Sequence, residues 1–483
     1  MRSPRHELVT LLLLASACDA AAAVADLTAD EPPAASDQPS GNAPPDADAA
    51  RDEPAEPSEP EPLVLEAPQT PLPDPRPPTE PEPTEGRRAL AWQFNAPIYV
   101  APGSDDILGF SRRGSVVPVT RARNASGCSR SWWELQSGGW VCPNNGWSVS
   151  SDPTPLEERL RTRPPEDAPL PFGYAKVRDP DTPLYARMPT AAEQAKAEAS
   201  PGVKTTAVLD RTEGVVFLAL HREETRDDGT VFLRDVRGRY VLKDHTHPPK
   251  VQTMRGEPLE SVDDLPIAFV HTDDVPVTNA EGTTVGTAEK FARQPAEGLS
   301  DDGAFVLTPA GRLPLQSVRL AERVKRPDDV DADEQWVHVD LDRQVLVAYE
   351  GDRPVLATLV SSGKAGYEPP RGLFRIEKKY TTRKMQGADP TDGSYDIDQV
   401  PYTMYYWGSL ALHGAYWHDD FGKVRSHGCT NLPPHDARWL FRWASPTLPH
   451  GWHGRVRARG PHVYMTRGDD VYVDPLPAQR KND

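Results

Sequence analysis

The chain has 483 residues, 53 prolines and a formal net charge of −18. This length exceeds one ordinary domain and predicts two to four domains. The acidic excess, with no basic stripe along the sequence, argues against nucleic acid as a partner.

Residues 1–17 have the pattern of an export signal. Two arginines supply the positive start, Leu8–Leu14 the short apolar run, and Ala15–Ala17 the small residues of a cleavage site. Cys18 follows directly and resembles the lipidated cysteine of bacterial lipoproteins, although Ala15 stands where leucine is usual. Ordinary signal cleavage at the same bond is the alternative. Both interpretations predict a protein of the periplasm or cell envelope, and lipidation would anchor it to a membrane.

A disordered tether is predicted over residues 18–88. This stretch is rich in Ala, Pro, Glu and Asp and has few aromatic or branched side chains to bury, so it cannot offset the entropy of ordering. Repelling carboxylates and polyproline II segments would extend it. Such a tether would let a membrane-anchored domain reach a substrate away from the membrane.

Residues 89–150 have the pattern of a small β-barrel, because short apolar runs alternate with Gly, Ser and Asn turns. The stretch resembles a bacterial Src homology 3-like domain. Cys128 and Cys142 flank the Trp132–Trp133 strand, and in an exported protein they most simply form a disulfide. A loop of this length contributes about 3 kcal/mol in the chain-entropy model. A pair of buried thiols is the alternative.

Two further β-rich modules are predicted, over residues 170–250 and 255–325. The segment Ala96–Tyr99 recurs in outline as Thr182–Tyr185 and as Val275–Val277, and each copy is followed by a glycine and a short apolar strand. A single irregular β-rich region is the alternative. Such modules would position a neighbouring domain or bind a polymer, but no residue in them indicates a ligand.

The last folded domain is predicted over residues 333–468, with a tail over 469–483, and the whole chain is expected to be mainly β. Alternation in Trp336–Leu341 and in the two runs after it predicts consecutive strands with one buried face. The pattern loosens over Lys378–Gln399, which predicts a long loop and a candidate lid. Apolar residues at helical spacing after two prolines predict a helix over Pro433–Trp443.

One stretch of this domain has the residues that nucleophilic catalysis by cysteine needs. Cys429 directly follows His427 and Gly428, and His413 precedes it by a short loop. A thiol at its unperturbed pKa of about 8.5 is only partly ionised at neutral pH, so an imidazole that takes its proton is essential. Gly428 permits a sharp turn that brings backbone N–H groups close to a reacting carbonyl.

These residues carry a resemblance to a known family. The string Ser426–Asn431, preceded by Leu412–Gly414, resembles the signature of the L,D-transpeptidase (YkuD-type) catalytic domain of bacterial cell-wall enzymes. The strands from Gln335 to Ile376 continue the resemblance, with Pro369–Arg371 where the family often has Thr-Pro. The resemblance implies a YkuD-type β-sandwich with a short helix after the catalytic cysteine, preceded here by the Src homology 3-like modules.

The resemblance also implies acyl transfer on peptidoglycan. Cys429 would attack the amide before the terminal D-alanine of a tetrapeptide stem, and an amine of a neighbouring stem would then take the acyl group to form a 3→3 cross-link. His413 is the favoured base, His427 is the other candidate or a second acid or base, and Ser426 would orient an imidazole. The amides of Gly428 and Cys429 are the predicted oxyanion donors. Acylation of the thiol by carbapenems is a further implication.

Three other side chains are predicted to contact the stem peptide. Tyr416 and Trp417 lie close to the first histidine of the motif, although aromatic residues of this kind more often belong to a core. Arg425 suits a stem carboxylate, with an exposed salt bridge as the alternative. The run His418–Asp420 matches no common zinc pattern, so no metal and no cofactor is predicted.

The sequence leaves other functions open. The same residues could transfer the acyl group to water, which would make the protein an L,D-carboxypeptidase, or to a protein lysine. From another class, the chain could be a non-catalytic scaffold that binds the cell wall, although the intact set of Cys429, His427 and His413 speaks against it. A papain-like peptidase is disfavoured because its histidine lies far downstream of its cysteine.

Overall fold

The computed structural model describes residues 63–69, 72–75, 86–154, 168–250, 254–389, 393–468 and 471–473. The predicted signal peptide and Cys18 lie outside these residues. The described part has 34 strands and two α-helices, so the prediction of a mainly β chain is confirmed. Neither described helix is long and apolar enough to cross a membrane.

The first predicted module holds seven short strands around its own apolar core. Strand β2 pairs with β5 and β8, whereas β3 pairs with β4 and β7, and Trp147 and Ile98 are buried between them. The predicted disulfide between Cys128 and Cys142 is confirmed, with 5.7 Å between the two Cα atoms. The Src homology 3-like assignment stays a prediction. The strands are β2 (Arg88–Ala91), β3 (Asn95–Tyr99), β4 (Ile107–Arg112), β5 (Val116–Arg123), β6 (Trp132–Leu135), β7 (Trp140–Val141) and β8 (Trp147–Ser150).

The second module is an antiparallel sheet with one short helix. Strand β12 pairs with β9 and β13, and β13 continues to β14. The helix begins where Thr190 and Glu193 form a reciprocal capping box. The elements are β9 (Gly173–Val177), β10 (Pro183–Tyr185), α1 (Ala191–Glu198), β11 (Val208–Arg211), β12 (Val215–Thr225), β13 (Val231–Asp235), β14 (Tyr240–Leu242) and β15 (Thr246–His247).

The third module is built from two small sheets. One sheet has the strand order β20-β17-β24, and the other contains β18, β19 and β21–β23. Whether the three modules repeat one another stays a prediction. The strands here are β17 (Ile267–Val270), β18 (Val275–Thr278), β19 (Thr284–Ala288), β20 (Arg293–Pro295), β21 (Gly298–Leu299), β22 (Phe305–Thr308), β23 (Gly311–Pro314) and β24 (Val318–Ala321).

The C-terminal domain contains a six-stranded sheet that is buried on both sides. Its order is β16-β27-β26-β25-β34-β28, with strands β16 (Glu257–Pro258), β25 (Gln335–Asp340), β26 (Val345–Glu350), β27 (Arg353–Leu359), β28 (Gly372–Arg375) and β34 (His462–Thr466). Val337 packs into one core of the molecule and Trp336 into another, which also holds Phe269 of β17. The prediction of a single buried face is therefore wrong. On the second face the buried His338 has one polar contact, because its Nε2 lies 2.7 Å from the hydroxyl of Thr466.

The second sheet of this domain carries the candidate site. Its strands are β29 (Lys378–Asp389), β30 (Gly393–Trp407), β31 (Leu410–Gly414), β32 (Thr430–Leu432) and β33 (Trp452–Arg455). The predicted helix is confirmed as α2 (Pro434–Trp443), which follows β32. The prediction of a loop over Lys378–Gln399 is wrong, because β29 and β30 form a long antiparallel hairpin. A register shift near Met385 disturbs the alternation that would have marked these strands in the sequence.

The hairpin joins this domain to the first two modules. Strand β30 pairs in parallel with β12, with Val215 opposite Tyr395. Strand β33 pairs with both β29 and β4. Gly214 permits the closest approach, because a Cβ at this position would lie 1.8 Å from the carbonyl oxygen of Ser394.

Part of the predicted tether is packed against the folded chain. Strand β1 (Leu63–Leu65) pairs in parallel with β19, and the indole N–H of Trp439 donates to the carbonyl of Pro73 at 3.0 Å. Asp74 forms an ion pair with Arg442 on α2 at 3.0 Å. The prediction of disorder over 18–88 is therefore wrong for these residues. Leu65 and Leu72 pack against apolar side chains, and the backbone of β1 pairs with β19.

The start of the predicted tail is also packed. Val324 forms a β-bridge with Tyr472, and the Tyr472 hydroxyl donates to Asp340 at 2.5 Å. Residues 471–473 therefore pack on the folded chain, because the amide of Lys325 donates to the carbonyl of Val471 and the amide of Val473 donates to the carbonyl of Arg323.

Candidate active site

Cys429 lies at the end of a tight turn, immediately before β32. Its side chain is buried. The amide of Ala411 donates to the sulfur at 3.3 Å, and the carbonyl oxygen of Ser409 lies 3.7 Å from the sulfur. A backbone N–H aimed at the sulfur favours its negatively charged form.

His413 lies on β31, the strand next to Cys429. Strands β31 and β32 are parallel neighbours, and their register places His413 opposite Asn431. Ala411 and His413 lie two residues apart on β31 and therefore share a face. The Nδ1 of His413 is 3.1 Å from the carbonyl of Gly414, which makes Nδ1 the donor and Nε2 the basic nitrogen. The structure thus brings the predicted base to the strand that contacts the predicted nucleophile.

Ser426 shapes the turn and has a different role from the predicted one. Its hydroxyl donates to the carbonyl of Cys429 at 2.5 Å and accepts from the amide of Gly428 at 3.1 Å. Among the described residues the Ser426 hydroxyl contacts no imidazole, so the expectation that it orients one is wrong. The short side chain of serine, next to a turn, reaches its own backbone first.

Gly428 is the residue on which this turn depends. Its φ of 124° is in the range that favours glycine, and a Cβ would lie 2.8 Å from Cδ2 of Leu410. Since its amide donates to Ser426, it can serve as an oxyanion donor only by sharing or exchanging that bond. Its predicted part in the oxyanion hole, like that of the Cys429 amide, stays a prediction.

Two tyrosines that the sequence analysis did not single out surround the imidazole of His427. The ring of Tyr367 meets it edge-on at 4.7 Å between centroids, and the ring of Tyr395 lies nearly parallel to it at 5.8 Å. Tyr395 belongs to the hairpin and Tyr367 to the loop after β27. The two rings restrict the orientation of the imidazole that precedes the nucleophile.

Sequence signals for these contacts were weak. Gly363 permits the loop of Tyr367, because a Cβ there would lie 2.0 Å from the Tyr367 carbonyl oxygen and 3.0 Å from Cα of Gly428. A glycine after an apolar strand indicates a close approach of this kind without naming its partner. Tyr395 lay within the stretch interpreted as a loop.

Asn431 and His418 form a supporting contact behind the turn. Nδ2 of Asn431 and Nε2 of His418 are 2.9 Å apart, and Nδ1 of His418 accepts from the amide of Asp420 at 3.2 Å. The backbone of Asn431 also exchanges two hydrogen bonds of 2.9 Å with Ser361. Asn431 therefore ties the strand after the nucleophile to the neighbouring strand ends.

Tyr416 and Trp417, predicted to contact substrate, are both buried in the core. Tyr416 stacks on Tyr174 of β9 with 3.8 Å between ring centroids, and its hydroxyl donates to the carbonyl of Asp398 at 3.2 Å. Trp417 lies 5.9 Å from the ring of His413. The structure thus brings Trp417 next to the predicted base and places Tyr416 against the second module, and the substrate contact of both stays a prediction.

Arg425 forms an ion pair with Asp420 across the active-site loop. An exposed salt bridge is the alternative to a stem carboxylate, and the observed ion pair is partly buried rather than exposed. Contact between Arg425 and substrate stays a prediction.

Among the described residues no group of three His, Cys, Asp or Glu side chains comes together in a way that could hold a metal ion.

The arrangement as a whole is suited to acyl transfer by a thiolate. It combines a cysteine that receives a backbone N–H, a histidine with a basic Nε2 on the adjacent strand, and a second histidine held between two aromatic rings. These are the components of nucleophilic catalysis with an assisting base.

Comparison with known families identifies this part of the chain. Residues 334–473 match the family model of the YkuD L,D-transpeptidase catalytic domain. The family recognised from the motif is thereby confirmed for these residues. No curated protein matches the sequence.

Solved structures similar to this chain include several L,D-transpeptidases. A cysteine-to-serine mutant of the Enterococcus faecium enzyme is 24% identical over 28% of this chain and 50% of its own, with a TM-score of 0.23. The Stackebrandtia nassauensis enzyme is 23% identical over 30% of this chain and 58% of its own, at a TM-score of 0.21. The Mycobacterium smegmatis enzyme is 18% identical over 53% of this chain and 95% of its own, at a TM-score of 0.23.

Proposed function

We propose that this protein is an L,D-transpeptidase that forms 3→3 cross-links in peptidoglycan. The observation that carries the proposal is that the family match spans the segment in which His413 lies on β31 and Cys429 immediately precedes β32, the parallel neighbour of β31. The scaffold and carboxypeptidase alternatives become outcomes of the test below.

In the first half-reaction, Nε2 of His413 takes the thiol proton and the sulfur of Cys429 attacks the carbonyl carbon before the terminal D-alanine. The C–N bond breaks, the proton passes to the leaving amine, and D-alanine departs, which leaves a thioester on Cys429. The amide of Ala411, 3.3 Å from the sulfur, supports the thiolate before attack.

In the second half-reaction, the side-chain amine of a neighbouring stem attacks the thioester. The C–S bond breaks, a new amide forms, and the proton lost by the amine returns to the thiolate. One D-alanine is released for each cross-link and no water is consumed. His427, held between Tyr367 and Tyr395, is suited to assist one of these proton transfers because its ring is oriented by aromatic contacts on two sides.

Mass spectrometry of products tests the proposal directly. The reduced protein is incubated with disaccharide-tetrapeptide in water labelled with heavy oxygen, beside a Cys429→Ala control. We expect dimers that have lost one D-alanine and carry no label. Labelled tripeptide monomers without dimers would instead identify a carboxypeptidase, and an absence of any product from folded, reduced protein would favour the scaffold.

We also propose that the protein acts outside the cytoplasm, attached to a membrane through Cys18. The disulfide between Cys128 and Cys142 supports an oxidising compartment. Mass spectrometry of the mature N-terminus provides the test: a diacylglycerol-modified Cys18 is expected, and an unmodified N-terminus at the same bond would indicate ordinary signal cleavage.

A further inference from the structure

A cavity of about 270 Å³ lies where the first module meets the β29–β30 hairpin and the second module. Because roughly 10–15 Å³ of such space holds one water, the cavity has room for several waters or one small organic molecule. None of its lining residues belongs to the cluster around Cys429.

The lining of this cavity is strongly cationic. Arg112, Arg237, Arg383 and Lys384 all line it, and no carboxylate does among the described residues. Arg237 forms an ion pair with Asp398 at 3.2 Å, and Lys384 forms one with Asp396 at 2.7 Å. Arg112 and Arg383 form no ion pair within the described part of the chain. Two guanidinium charges therefore face the cavity region without a counter-ion of their own.

Arg112 is the more unusual of the two because it is only 3% exposed. Its terminal nitrogens donate to Asn95 Oδ1 at 2.6 Å, to Gln399 Oε1 at 2.7 Å and to Thr382 Oγ1 at 3.1 Å, all of which are neutral oxygens. Its Nε, also buried, has no hydrogen-bond partner among the described residues. A buried charge of this kind is costly unless an anion compensates it.

Burial lowers the pKa of Arg112 to about 9, and the nearby charges of Arg237 and Arg383 lower it further while Asp398 raises it. Desolvation of the buried guanidinium therefore outweighs the opposing charge of Asp398, which is paired with Arg237. An anion in the cavity would restore a favourable environment for the charged guanidinium.

His453 adds a second requirement on the ligand. The imidazole is 4% exposed, and it hydrogen-bonds to the backbone of Thr382. Burial, with Arg112 and Arg383 close by, lowers its pKa well below the usual value, so the ring is neutral. Its Nδ1 has no partner among the described residues and acts as an acceptor. A ligand that meets this nitrogen should bring an N–H or O–H donor.

Two aromatic rings of the cavity lining, Phe94 and Tyr380, stack on the guanidinium groups. The Arg112 guanidinium lies over the ring of Phe94 at 4.2 Å, and that of Arg383 over the ring of Tyr380 at 5.0 Å. Stacking holds both guanidinium planes in place, and planar guanidinium groups recognise planar carboxylates well.

We propose that this cavity is a second binding site, separate from the Cys429 site, for a small carboxylate that carries a neighbouring N–H or O–H donor, as an N-acylated amino acid does. The carboxylate would meet Arg112 and Arg383, and the donor would meet Nδ1 of His453. The inference does not depend on the chemistry of Cys429, so it can succeed or fail whatever reaction the protein catalyses.

Isothermal titration calorimetry on the full chain tests the proposal with three probes. N-acetylglycine has the carboxylate and the N–H donor, N-acetylglycinamide lacks the charge, and inorganic phosphate is an oxyanion without the organic body. We expect saturable binding of one N-acetylglycine per chain and no binding of the amide. Binding of phosphate alone, or of no probe, would overturn the assignment.

Variants then locate the site. Arg383→Gln is the main variant because Arg383 is exposed and its loss should leave the fold intact, and Arg112→Gln is the second. Each should weaken N-acetylglycine binding by about tenfold or more, since a hydrogen bond to a charged group is lost. Arg123→Gln, an exposed arginine away from the cavity, should leave the affinity unchanged. Unaltered binding by folded Arg383→Gln protein, checked by circular dichroism, would contradict the proposed location.

Discussion

At the level of single residues, the turn before the nucleophile depends on Gly428. A φ of 124° strains any residue with a Cβ, and the added carbon would lie 2.8 Å from Leu410. We expect Gly428→Ala to lower transpeptidase activity at least tenfold and the stability by about 1–3 kcal/mol. Product formation by mass spectrometry and urea unfolding provide the two measurements.

Gly408, in the turn between β30 and β31, provides a matched control. Gly408 has a φ of 54°, and no atom lies within 4 Å of the position its Cβ would take. Gly408→Ala therefore tests a left-handed residue without a steric contact, and it should retain most of the activity. Equal losses in both variants would show that the packing against Leu410 does not matter.

Asp436 in the first turn of α2 gives the fold a pH dependence. Burial raises its pKa to about 6, although hydrogen bonds from Thr358 and from the amide of Gly256 lower it. Because the folded chain binds this proton more tightly than the unfolded chain, the contribution to stability is present below about pH 4 and is lost as the pH rises to about 6.

Asp436→Asn removes this titration and keeps an acceptor for Gly256. The stability of the variant relative to the wild type should therefore rise by about 2–3 kcal/mol between pH 4 and pH 7, as measured by urea unfolding. The exposed Asp333→Asn is the control and should show a much smaller change. A difference that does not vary with pH would mean that Asp436 is already ionised in the folded protein.

At the level of elements, strand β1 (Leu63–Leu65) docks on β19 through a close approach of backbone. A Cβ on Gly286 would lie 2.1 Å from the carbonyl oxygen of Leu63. We expect Gly286→Ala to release β1, because the added carbon cannot fit between paired strands. Hydrogen exchange of the peptide 63–69 should become faster, whereas Gly298→Ala, with 3.9 Å to its nearest neighbour, should not change it. Unchanged exchange in Gly286→Ala would exclude this docking in solution.

The elements also show what a sequence can and cannot predict. Strands β25 and β26 and helix α2 carry clear periodicity, so these elements were predictable. Strand β1 was not, because it consists of three apolar residues in a Pro- and Glu-rich stretch and is stabilised only by a distant sheet edge. The β29–β30 hairpin was not predictable either. Its strands are rich in polar residues and are held by pairing with β12 and β33, which lie far from the hairpin in the sequence.

The candidate site was likewise only partly predictable from the sequence. Cys429, His413 and His427 stood out because reactive side chains at short spacing have a chemical meaning of their own. Tyr395 did not, because it reaches His427 from the tip of a hairpin that is itself held by the second module. Ser426 was assigned the wrong partner, since its hydroxyl can reach either an imidazole or its own backbone and only the turn geometry decides.

At the level of the whole molecule, the transpeptidase segment relies on the third module to cover its sheet. Trp336, Val347 and Tyr349 are fully buried, and they share one core with Ile267 and Phe269 of β17. Exposing three such side chains costs roughly 5–9 kcal/mol at about 1.5–3 kcal/mol each, which is comparable to the total stability of a typical domain.

Residues 326–473 expressed alone should therefore be unstable, although they contain the entire family match. We expect this segment to bind a hydrophobic dye and to sediment as aggregates, whereas residues 254–473, which restore β17, should bind far less dye and remain closer to monomeric. The longer segment adds the apolar side chains of β17 as partners for a surface that the shorter segment leaves exposed. A monomeric, dye-free 326–473 segment would instead make the third module an independent attachment, with its shared core of little energetic consequence.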